Sequence, residues 1–308
     1  MGELSRKNST LLESVPHGTS YRPIEEMSFH FDRQKDASSI FSVDNHWHPE
    51  IEFVYVVEGR FYGEINLNEC ILNPGDIMIA GSQDLHALKG LSDQSTHEAL
   101  IFHPKAFSFS YDDEMQRTLI SPILARSVSF PNFIKCDSSY YSIIATPLLE
   151  IIDIAKKQTQ NWYIECKLRL MQLLNIMKQQ QILIPVEELV SSNEKQKIER
   201  YKILTSYMEE NLSKNITLSE LSNLTSTNPQ YLCRFFKEIS GISPIQYLIN
   251  RRIDMACAML LETDKSILTI SMDCGFDNVS YFIRKFKQKN GVTPREYRKR
   301  TCSCKKHS

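Results

Sequence analysis

The chain has 308 residues, of which 42% are hydrophobic and 24% charged, a balance that excludes a disordered protein and leaves room for two globular domains. No apolar run approaches the ~18 residues of a membrane span, and the opening MGELSRKNST lacks the apolar segment of a secretory signal. The eight cysteines follow no framework spacing, so we expect reduced thiols and a cytoplasmic location.

The charges are divided unevenly along the chain. From residue 197 onward there are 19 Lys and Arg against 11 Asp and Glu, whereas residues 1–196 carry 17 basic and 26 acidic residues. An acidic front and a basic back indicate two domains, and the back half is the candidate for a polyanionic partner. The same pattern also occurs for solubility alone, so charge by itself does not decide between these interpretations.

Residues from about 28 to 110 have the pattern of strands. The segments FVYVV, GEINL and DIMIAG are short and rich in β-forming residues, and Glu58-Gly59 and Asn73-Pro74-Gly75 separate them as turns. Many short strands at close intervals predict a sandwich or a small barrel.

The period changes to that of helices between about 138 and 181. Two apolar stripes recur at helical spacing, and they consist of Ile144, Leu148, Ile151, Ile152 and Ala155 in the first helix and of Leu170, Leu173, Leu174 and Met177 in the second. Such stripes either cover the barrel or form the seam of a dimer, and the sequence leaves both open. Pro185 and the polar run SSNEKQK predict a linker over 184–197.

Residues 198–300 are predicted to be helical, because start signals recur there. Thr217-Leu-Ser-Glu220, Ser243-Pro-Ile-Gln246 and Thr293-Pro-Arg-Glu296 fit the capping box, in which a hydroxyl and a Glu or Gln satisfy the free N–H groups of a first turn. Asn228-Pro229 is a fourth start of this kind. Gly241 and Gly291 stand where helices are expected to end.

This helical half contains an internal repeat. The segment RFFKEISGISPIQY from Arg234 matches RKFKQKNGVTPREY from Arg284 at a constant offset of 50, and the segments upstream of each match with a slip of one residue. Each copy predicts a short helix, a turn and a second helix. The sequence therefore predicts two helix-turn-helix units.

The second helix of each unit has one apolar and one polar face. The outward residues are Gln230, Cys233, Arg234 and Lys237 in the first unit and Ser280, Ile283, Arg284 and Lys287 in the second. An exposed helix with Gln, Ser and Arg near its start can enter the major groove of DNA and reach base edges. The alternative is a pair of solvated faces on a helical bundle, which explains neither the repeat nor the basic charge.

A long helix is predicted between the two units. The segment SPIQYLINRRIDMACAMLLET gives about 18 helical residues, which span roughly 27 Å. Two recognition helices on one such strut can enter successive major grooves, which lie about 34 Å apart on one face of DNA. Lys and Arg residues beside both units are expected to contact phosphates, which makes the affinity fall with salt.

Residues 198–300 resemble the DNA-binding domain of the AraC/XylS family of bacterial transcription regulators. The resemblance rests on YLCRFFKEISG, SPIQYLINRRIDMACAML, ILTISMDCGF and SYFIRKFKQKNGVTPREYR, in that order. It places Gln230, Cys233 and Arg234 at base-contacting positions of the first unit, and Val279, Ser280 and Arg284 at those of the second. Cys233 and Val279 form weak hydrogen bonds or none, so thymine methyls are the groups that they could contact.

The stretch from His46 to Gly59, HWHPEIEFVYVVEG, resembles the first cupin motif, and His86 falls where the second motif places a histidine. Three interpretations remain open. His46, His48, Glu52 and His86 line an effector pocket without metal, or they bind Fe, Mn, Ni or Zn, or they are core residues or remnants of a catalytic site. Tyr55 and Tyr62, together with Trp47, are candidates to stack on a sugar ring at the effector site, and the alternative is that these aromatic residues belong to the core.

Together these patterns predict an α+β chain with a cupin-like β-barrel and helices over 20–183, a linker over 184–197 and an all-α double helix-turn-helix domain over 198–300. The predicted function is that of a cytoplasmic, sequence-specific regulator of transcription that binds promoter DNA and a small-molecule effector. The resemblance further implies a sugar effector, activation and RNA polymerase as a partner. The helices near 140–180 are expected to join two copies of the chain, which makes 20–183 the dimerisation domain as well. No enzyme activity is expected. The alternatives are a cupin metalloenzyme, an isomerase or dioxygenase, fused to a DNA-binding domain, and a protein that coats DNA without sequence preference.

Overall fold

A computed structural model gives the fold and describes residues 29–34 and 41–304, with side chains for residues 41–299. The chain forms two compact units, and the boundary between them falls between Gln196 and Lys197. The beginning of the predicted sensor domain, residues 20–28, and its residues 35–40 lie outside the described part.

The strands of the N-terminal unit form two large antiparallel sheets and one small antiparallel pair. They are β1 (Phe29–Gln34), β2 (Ser42–His46), β3 (Ile51–Glu58), β4 (Phe61–Ile65), β5 (Asn68–Leu72), β6 (Ile77–Ala80), β7 (His86–Gly90), β8 (Thr96–Phe102), β9 (Val128–Ser129) and β10 (Phe133–Ile134). One sheet has the order β1-β8-β3-β6-β10 and the other the order β2-β7-β4-β5. The prediction of a closed barrel is wrong for the described residues, because none of these strand pairs joins one sheet to the other.

The central strand β3 shows why two layers form. Its side chains alternate, so that Val54 and Val56 point to one face of the five-stranded sheet while Ile51 and Phe53 point to the other. Val54 and Val56 share a core with residues of the four-stranded sheet such as Phe61. All five side chains are fully buried, so the five-stranded sheet is covered on both faces.

The predicted turn at Asn73-Pro74-Gly75 is present between β5 and β6. Gly75 has a φ of 90°, in the left-handed region that favours glycine. A Cβ atom on Gly75 would also lie 2.7 Å from Cys136 Sγ, so the position has no room for a side chain. The carboxylate of Asp76 accepts the backbone N–H of Asn73 at 2.8 Å and closes the turn.

Two helices follow the sheets, as the spacing of apolar residues predicts. They are α2 (Tyr141–Lys157) and α3 (Trp162–Gln179). Both stripes are buried in one core with the outer face of the five-stranded sheet, represented by Phe53 and Ile79. The stripes therefore cover the sheet, and they are not available as a dimer seam.

The segment predicted as a linker has regular structure in this fold. Residues Ile184–Pro185 form β11, which pairs with β9, and a short helix α4 (Val186–Leu189) follows. The polar run SSNEKQK belongs to the first turns of helix α5 (Ser192–Glu210), where Glu194 N–H donates to Ser191 Oγ. A polar sequence is compatible with a helix here because these residues lie on its solvated surface.

The segment between β8 and β9 contains short helical turns. Besides the turn at Pro104–Phe107, a wide turn at Gln116–Ile120 leads into the one-turn helix α1 (Ser121–Leu124). Leu119, Ile120 and Ile123 of this region are buried in the core beneath α2 and α3.

Among the described residues, the C-terminal unit continues from α5 with helices only. They are α6 (Leu218–Leu224), α7 (Pro229–Ser240), α8 (Pro244–Glu262), α9 (Ile267–Asp273), α10 (Val279–Asn290) and α11 (Pro294–Cys304). None of the described helices is long and apolar enough to cross a membrane.

The helices begin at the predicted capping signals, and two of the three predicted capping boxes are complete. Thr217 and Thr293 form complete capping boxes, in which each hydroxyl accepts the N–H of a Glu whose carboxylate accepts in return. Ser243 accepts Gln246 N–H at 3.2 Å, but the Gln246 side chain donates to Asn250 Oδ1 instead. Only half of the third predicted box is therefore present.

Candidate functional site

The first candidate reading surface lies on α7, the second helix of the first helix-turn-helix unit. Asn228 begins the helix by accepting the N–H of Tyr231 at 2.8 Å. Leu232, Phe235, Phe236 and Ile239 hold one face of α7 in the core. The other face exposes Gln230, Arg234 and Lys237 and leaves Cys233 half-buried.

The second reading surface lies at the equivalent place on α10. Phe282 and Phe286 are fully buried, whereas Ser280, Arg284 and Lys287 are exposed and Val279 is half-buried. The Arg284 guanidinium lies 5.2 Å from the centroid of the Tyr281 ring, a cation–π contact that supports the extended arginine. The structure thus brings the four predicted residues of each unit together on one helix face.

The helix α8 connects the two units. Its 19 residues correspond to a length of about 28 Å. At its start Tyr247 contacts Phe236 of α7 with ring centroids 5.5 Å apart. Further along, Ile253 and Leu260 share a core with Phe282 and Phe286 of α10. Both recognition helices therefore pack against the same rigid element.

A partly buried ionic network that sequence reasoning missed fixes α10 to α8. Lys289 of α10 donates to Asp254 at 2.6 Å, and Arg251 lies 3.6 Å from the same carboxylate while it also donates to Glu209 of α5 at 3.0 Å. Burial raises the pKa of Asp254, although Lys289 and Arg251 oppose the shift. Arg251 and Asp254 are three residues apart on one predicted helix, and this spacing could have indicated the ion pair from the sequence.

The cupin-like unit brings together a different kind of site. His46 ends β2, His86 begins β7, and the two are partners in the four-stranded sheet. Glu52 on β3 accepts from His48 Nε2 at 3.3 Å and from His86 Nε2 at 3.2 Å. One ligand atom from each of the four residues lies within 4.8 Å of all the others. The four residues predicted from the two motifs are therefore one cluster.

The second nitrogen of each imidazole ring is engaged by an acceptor outside the cluster. His46 Nδ1 donates to the carbonyl of Asp44 at 3.0 Å, and His86 Nδ1 donates to the carbonyl of Asp84 at 2.8 Å. His48 Nδ1 lies 3.4 Å from the Glu50 carboxylate. Such partners fix the orientation of the rings. In a metal-bound state the Nε2 atoms would be the ligands, and those of His48 and His86 would first release the protons that they donate to Glu52.

Burial and mutual contacts separate the proton affinities in the cluster. Burial, His86 and His48 lower the pKa of His46 to about 3. Burial also disfavours a charge on His48, but hydrogen bonds with Glu50 and Glu52 outweigh it and raise the pKa of His48 to about 9. Burial acts against the Glu52 carboxylate as well, yet both histidines hold the pKa of Glu52 well below its usual value.

The donor set fits a divalent transition metal. Three imidazole nitrogens and one carboxylate suit Fe, Mn, Ni and Zn. The acceptors on the Nδ1 atoms are the outer partners that metal-binding histidines usually have.

The two tyrosines predicted to join this site do not lie beside it. Tyr55 packs in the core beneath the helices, on the face of β3 opposite to Glu52. Tyr62 donates to Glu64 Oε2 at 2.9 Å, and its neighbour Phe61 points into the core between the sheets, so Tyr62 points to the outer face of its strand.

Two small cavities lie in the cupin-like unit. Each of them measures about 10 Å³, room for about one water molecule, and none of the four cluster residues lines either of them. One of the two is lined by Ser82, Asp84 and Arg126. A sugar therefore has no preformed chamber in these two places.

Comparisons with known proteins agree with this division. Residues 221–300 match a family described as a helix-turn-helix domain, and residues 39–102 match one described as a cupin domain. The HTH-type transcriptional regulator YdeC of Bacillus subtilis is 24% identical over 82% of this chain and 85% of its own length. The HTH-type transcriptional activator RhaS of Mannheimia succiniciproducens is 27% identical over 82% of this chain and 88% of its own. Among solved structures, ToxT of Vibrio cholerae is 17% identical, with a TM-score of 0.42 over 88% of this chain and 97% of its own.

Proposed function

Since the chain is a transcription regulator of the AraC/XylS family, with a cupin domain followed by two helix-turn-helix units, we propose that it reads promoter DNA with two helices at once. Helices α7 and α10 enter successive major grooves on one side of the duplex. The residues that contact DNA are Gln230, Cys233, Arg234 and Lys237 on α7, and Val279, Ser280, Arg284 and Lys287 on α10.

The observation that carries this proposal is the matched exposure of the two helices. Equivalent faces, 50 residues apart in sequence, each present an arginine and a lysine to solvent while the phenylalanines behind them are buried. Arginine pairs with the O6 and N7 atoms of guanine, and lysine neutralises phosphate. Because both helices pack on α8, their separation is fixed before DNA is bound.

The experiment begins with selection of genomic fragments by the full-length chain, followed by footprinting. We expect protection in two successive major grooves and binding that survives an excess of random DNA. Protection of one groove only would contradict the two-helix arrangement. Loss of binding in competitor would favour a protein that coats DNA without sequence preference. The genes beside the selected sites would also indicate the chemistry of the effector.

The cupin unit is proposed as the sensor, with His46, His48, Glu52 and His86 as its binding site. The outer partners of the three rings favour a divalent metal ion held by these four residues over a metal-free effector pocket. The ion would supply Lewis acidity and open positions for an oxygen atom of a small molecule, such as a sugar. Effector binding would act on DNA binding only through different affinities for two states of the chain.

Metal analysis of the full-length chain tests the sensor proposal. We expect about one ion of Fe, Mn, Ni or Zn per chain, and loss of this ion in His48→Ala but not in His103→Ala, a histidine outside the cluster. A metal content that is unchanged in His48→Ala would contradict the site.

The proposal includes no enzyme activity for the cupin unit. The second candidate function is a cupin metalloenzyme, an isomerase or dioxygenase, and the same four side chains favour it. Turnover of a sugar or of an oxygen-dependent substrate by the metal-loaded chain, abolished in His48→Ala, would support the enzyme instead.

A cytoplasmic homodimer that activates transcription together with RNA polymerase completes the proposal. The similarity to RhaS, a transcriptional activator, supports activation over repression. Because the buried stripes of α2 and α3 are unavailable, the dimer contact is assigned to the solvent face of α3, where Ile164 and Leu168 are each 56% exposed. Leu168→Arg should produce a monomer in sedimentation velocity, whereas Tyr111→Arg, at another exposed site, should not. A dimer that persists in Leu168→Arg would contradict this face.

A further inference from the structure

The DNA-facing side of α10 contains an apolar side chain among polar ones. Ile283 is 36% exposed, and it lies beside Arg284 and one turn from both Ser280 and Lys287. The described core of this region holds Phe282 and Phe286 on the opposite face, and Ile283 is not among the residues packed against it. Its apolar surface therefore points toward the same partner as the arginine and the lysine.

Val279 extends this apolar surface by one helical turn. Val279 and Ile283 are four residues apart, so their side chains lie next to each other along α10. Both are β-branched and therefore weaker helix formers than Leu, Lys or Gln, and exposure of an apolar side chain to water is unfavourable. The pair thus does little for the stability of the helix, which suggests that it has a partner outside the chain.

The partner can be identified by chemistry. Within the major groove, the C5-methyl group of thymine is the apolar group on the base edges, while the other groups are hydrogen-bond donors and acceptors. Arg284 and Lys287 on the same face attract a polyanion. We propose that Val279 and Ile283 form an apolar strip that selects thymine in the half-site read by α10, an inference that rests on the proposed function of α10 as a reading helix.

The first unit lacks an equivalent strip. At the offset of 50, Pro229 stands in place of Val279 and Cys233 in place of Ile283. The half-buried thiol of Cys233 offers less apolar surface than the exposed side chain of Ile283. The selection for thymine methyls is therefore stronger in the half-site of α10 than in that of α7.

The test uses the full-length chain and a duplex from the selected genomic fragments. Each thymine under the α10 footprint is replaced singly by deoxyuridine, which removes the methyl group and leaves the hydrogen-bonding groups unchanged. We expect at least one replacement to weaken binding about fourfold, the effect of one methylene-sized group. In Ile283→Ala the same replacement should have no effect, because the contact is already lost.

Three variants make the result specific. Leu268→Ala, which removes a 51% exposed apolar side chain from α9, should keep the full sensitivity to deoxyuridine. Ile283→Val, which keeps a branched apolar side chain, should keep most of the sensitivity to deoxyuridine. Thermal melting of Ile283→Ala should match that of the parent chain, since Ile283 contributes little to the core.

The outcomes separate this inference from the proposed function. If the chain selects specific DNA but no thymine under α10 responds to loss of its methyl group, the apolar strip does not read thymine. An unchanged sensitivity in Ile283→Ala would also overturn the inference. If no specific DNA is selected at all, the proposed function itself fails, and the inference fails with it.

Discussion

The histidine cluster and the recognition helices place their charged groups in opposite environments. His48 and His86 are each 2% exposed, and the Glu52 carboxylate that they share is withdrawn from solvent. Arg234, Lys237, Arg284 and Lys287 are all exposed. A buried charge is tied to the stability of its domain, because removal of one partner leaves the other unpaired away from water. An exposed charge is available to a partner molecule and contributes little to folding.

The largest expected effect is that of Glu52→Ala on the stability of the cupin unit. The substitution leaves His48 and His86 without the carboxylate to which both donate, so the metal-free chain should lose about 3–5 kcal/mol of unfolding free energy. Urea denaturation of the full-length chain in the presence of a chelator measures this. Glu58→Ala, at an exposed end of β3, is the control and should change stability by less than about 0.5 kcal/mol. A small effect of Glu52→Ala would remove the contrast between the two sites.

The next largest effect is that of Arg284→Ala on DNA binding. We expect specific binding to weaken by about 1–3 kcal/mol and the preference at one base position to relax, while the unfolding free energy stays within about 0.5 kcal/mol. Titration of selected and random duplexes measures the first two quantities. Arg117→Ala, an exposed arginine of the cupin unit, is the matched control. Equal losses on selected and random DNA would show that Arg284 does not read a base.

A smaller effect is expected at a helix start, where the DNA-binding unit does depend on a polar side chain for its stability. Thr217→Ala removes the hydroxyl that accepts Glu220 N–H at 3.1 Å, so the unit should lose about 1 kcal/mol. Thermal or urea unfolding measures the loss. The control is Thr118→Ala, which removes a threonine hydroxyl from the cupin unit and should leave the stability of the C-terminal unit unchanged. No change would mean that water replaces the hydroxyl as acceptor.

The smallest effect is that of Lys287→Ala, which should mainly change the dependence of binding on salt. Removal of one phosphate contact lowers the slope of log affinity against log salt by about 1 and weakens binding to all sequences alike. Binding titrations over a range of salt concentrations measure the slope, with Lys157→Ala as a control on α2. A slope equal to that of the parent chain would contradict a phosphate contact by Lys287.

The sequence predicted the exposed faces of α7 and α10 well because their geometry is local. A helix repeats every 3.6 residues, so the spacing of Phe282 and Phe286 defines the buried face, and Arg284 and Lys287 follow on the other. The capping boxes at Thr217 and Thr293 are also local, since each involves residues three apart. The strands between about 28 and 110 and the helices α2 and α3 were likewise predicted, whereas α1, β9, β10 and the strand order were not.

The parts that the sequence did not predict depend on pairing between distant segments. The carbonyls of Asp44 and Asp84, which orient two rings of the cluster, are backbone groups that any residue would supply. Tyr62 points away from the core because its neighbour Phe61 points into it, and which of the two is inside depends on how β4 packs against the other sheet. Tyr55, however, is three residues from Glu52, and strand alternation alone places it on the opposite face.

Helix α8 has a further consequence for the evolution and engineering of this chain. Each residue added within it would turn α10 by about 100° around the helix axis and move it by about 1.5 Å relative to α7. One insertion would therefore point the two helices at different sides of the duplex. Seven added residues would restore the angular phase but lengthen the spacing by about 10 Å, which matches no groove period. If α7 and α10 read DNA as proposed, the number of residues in α8 therefore specifies the operator as much as the proposed base-contacting side chains do.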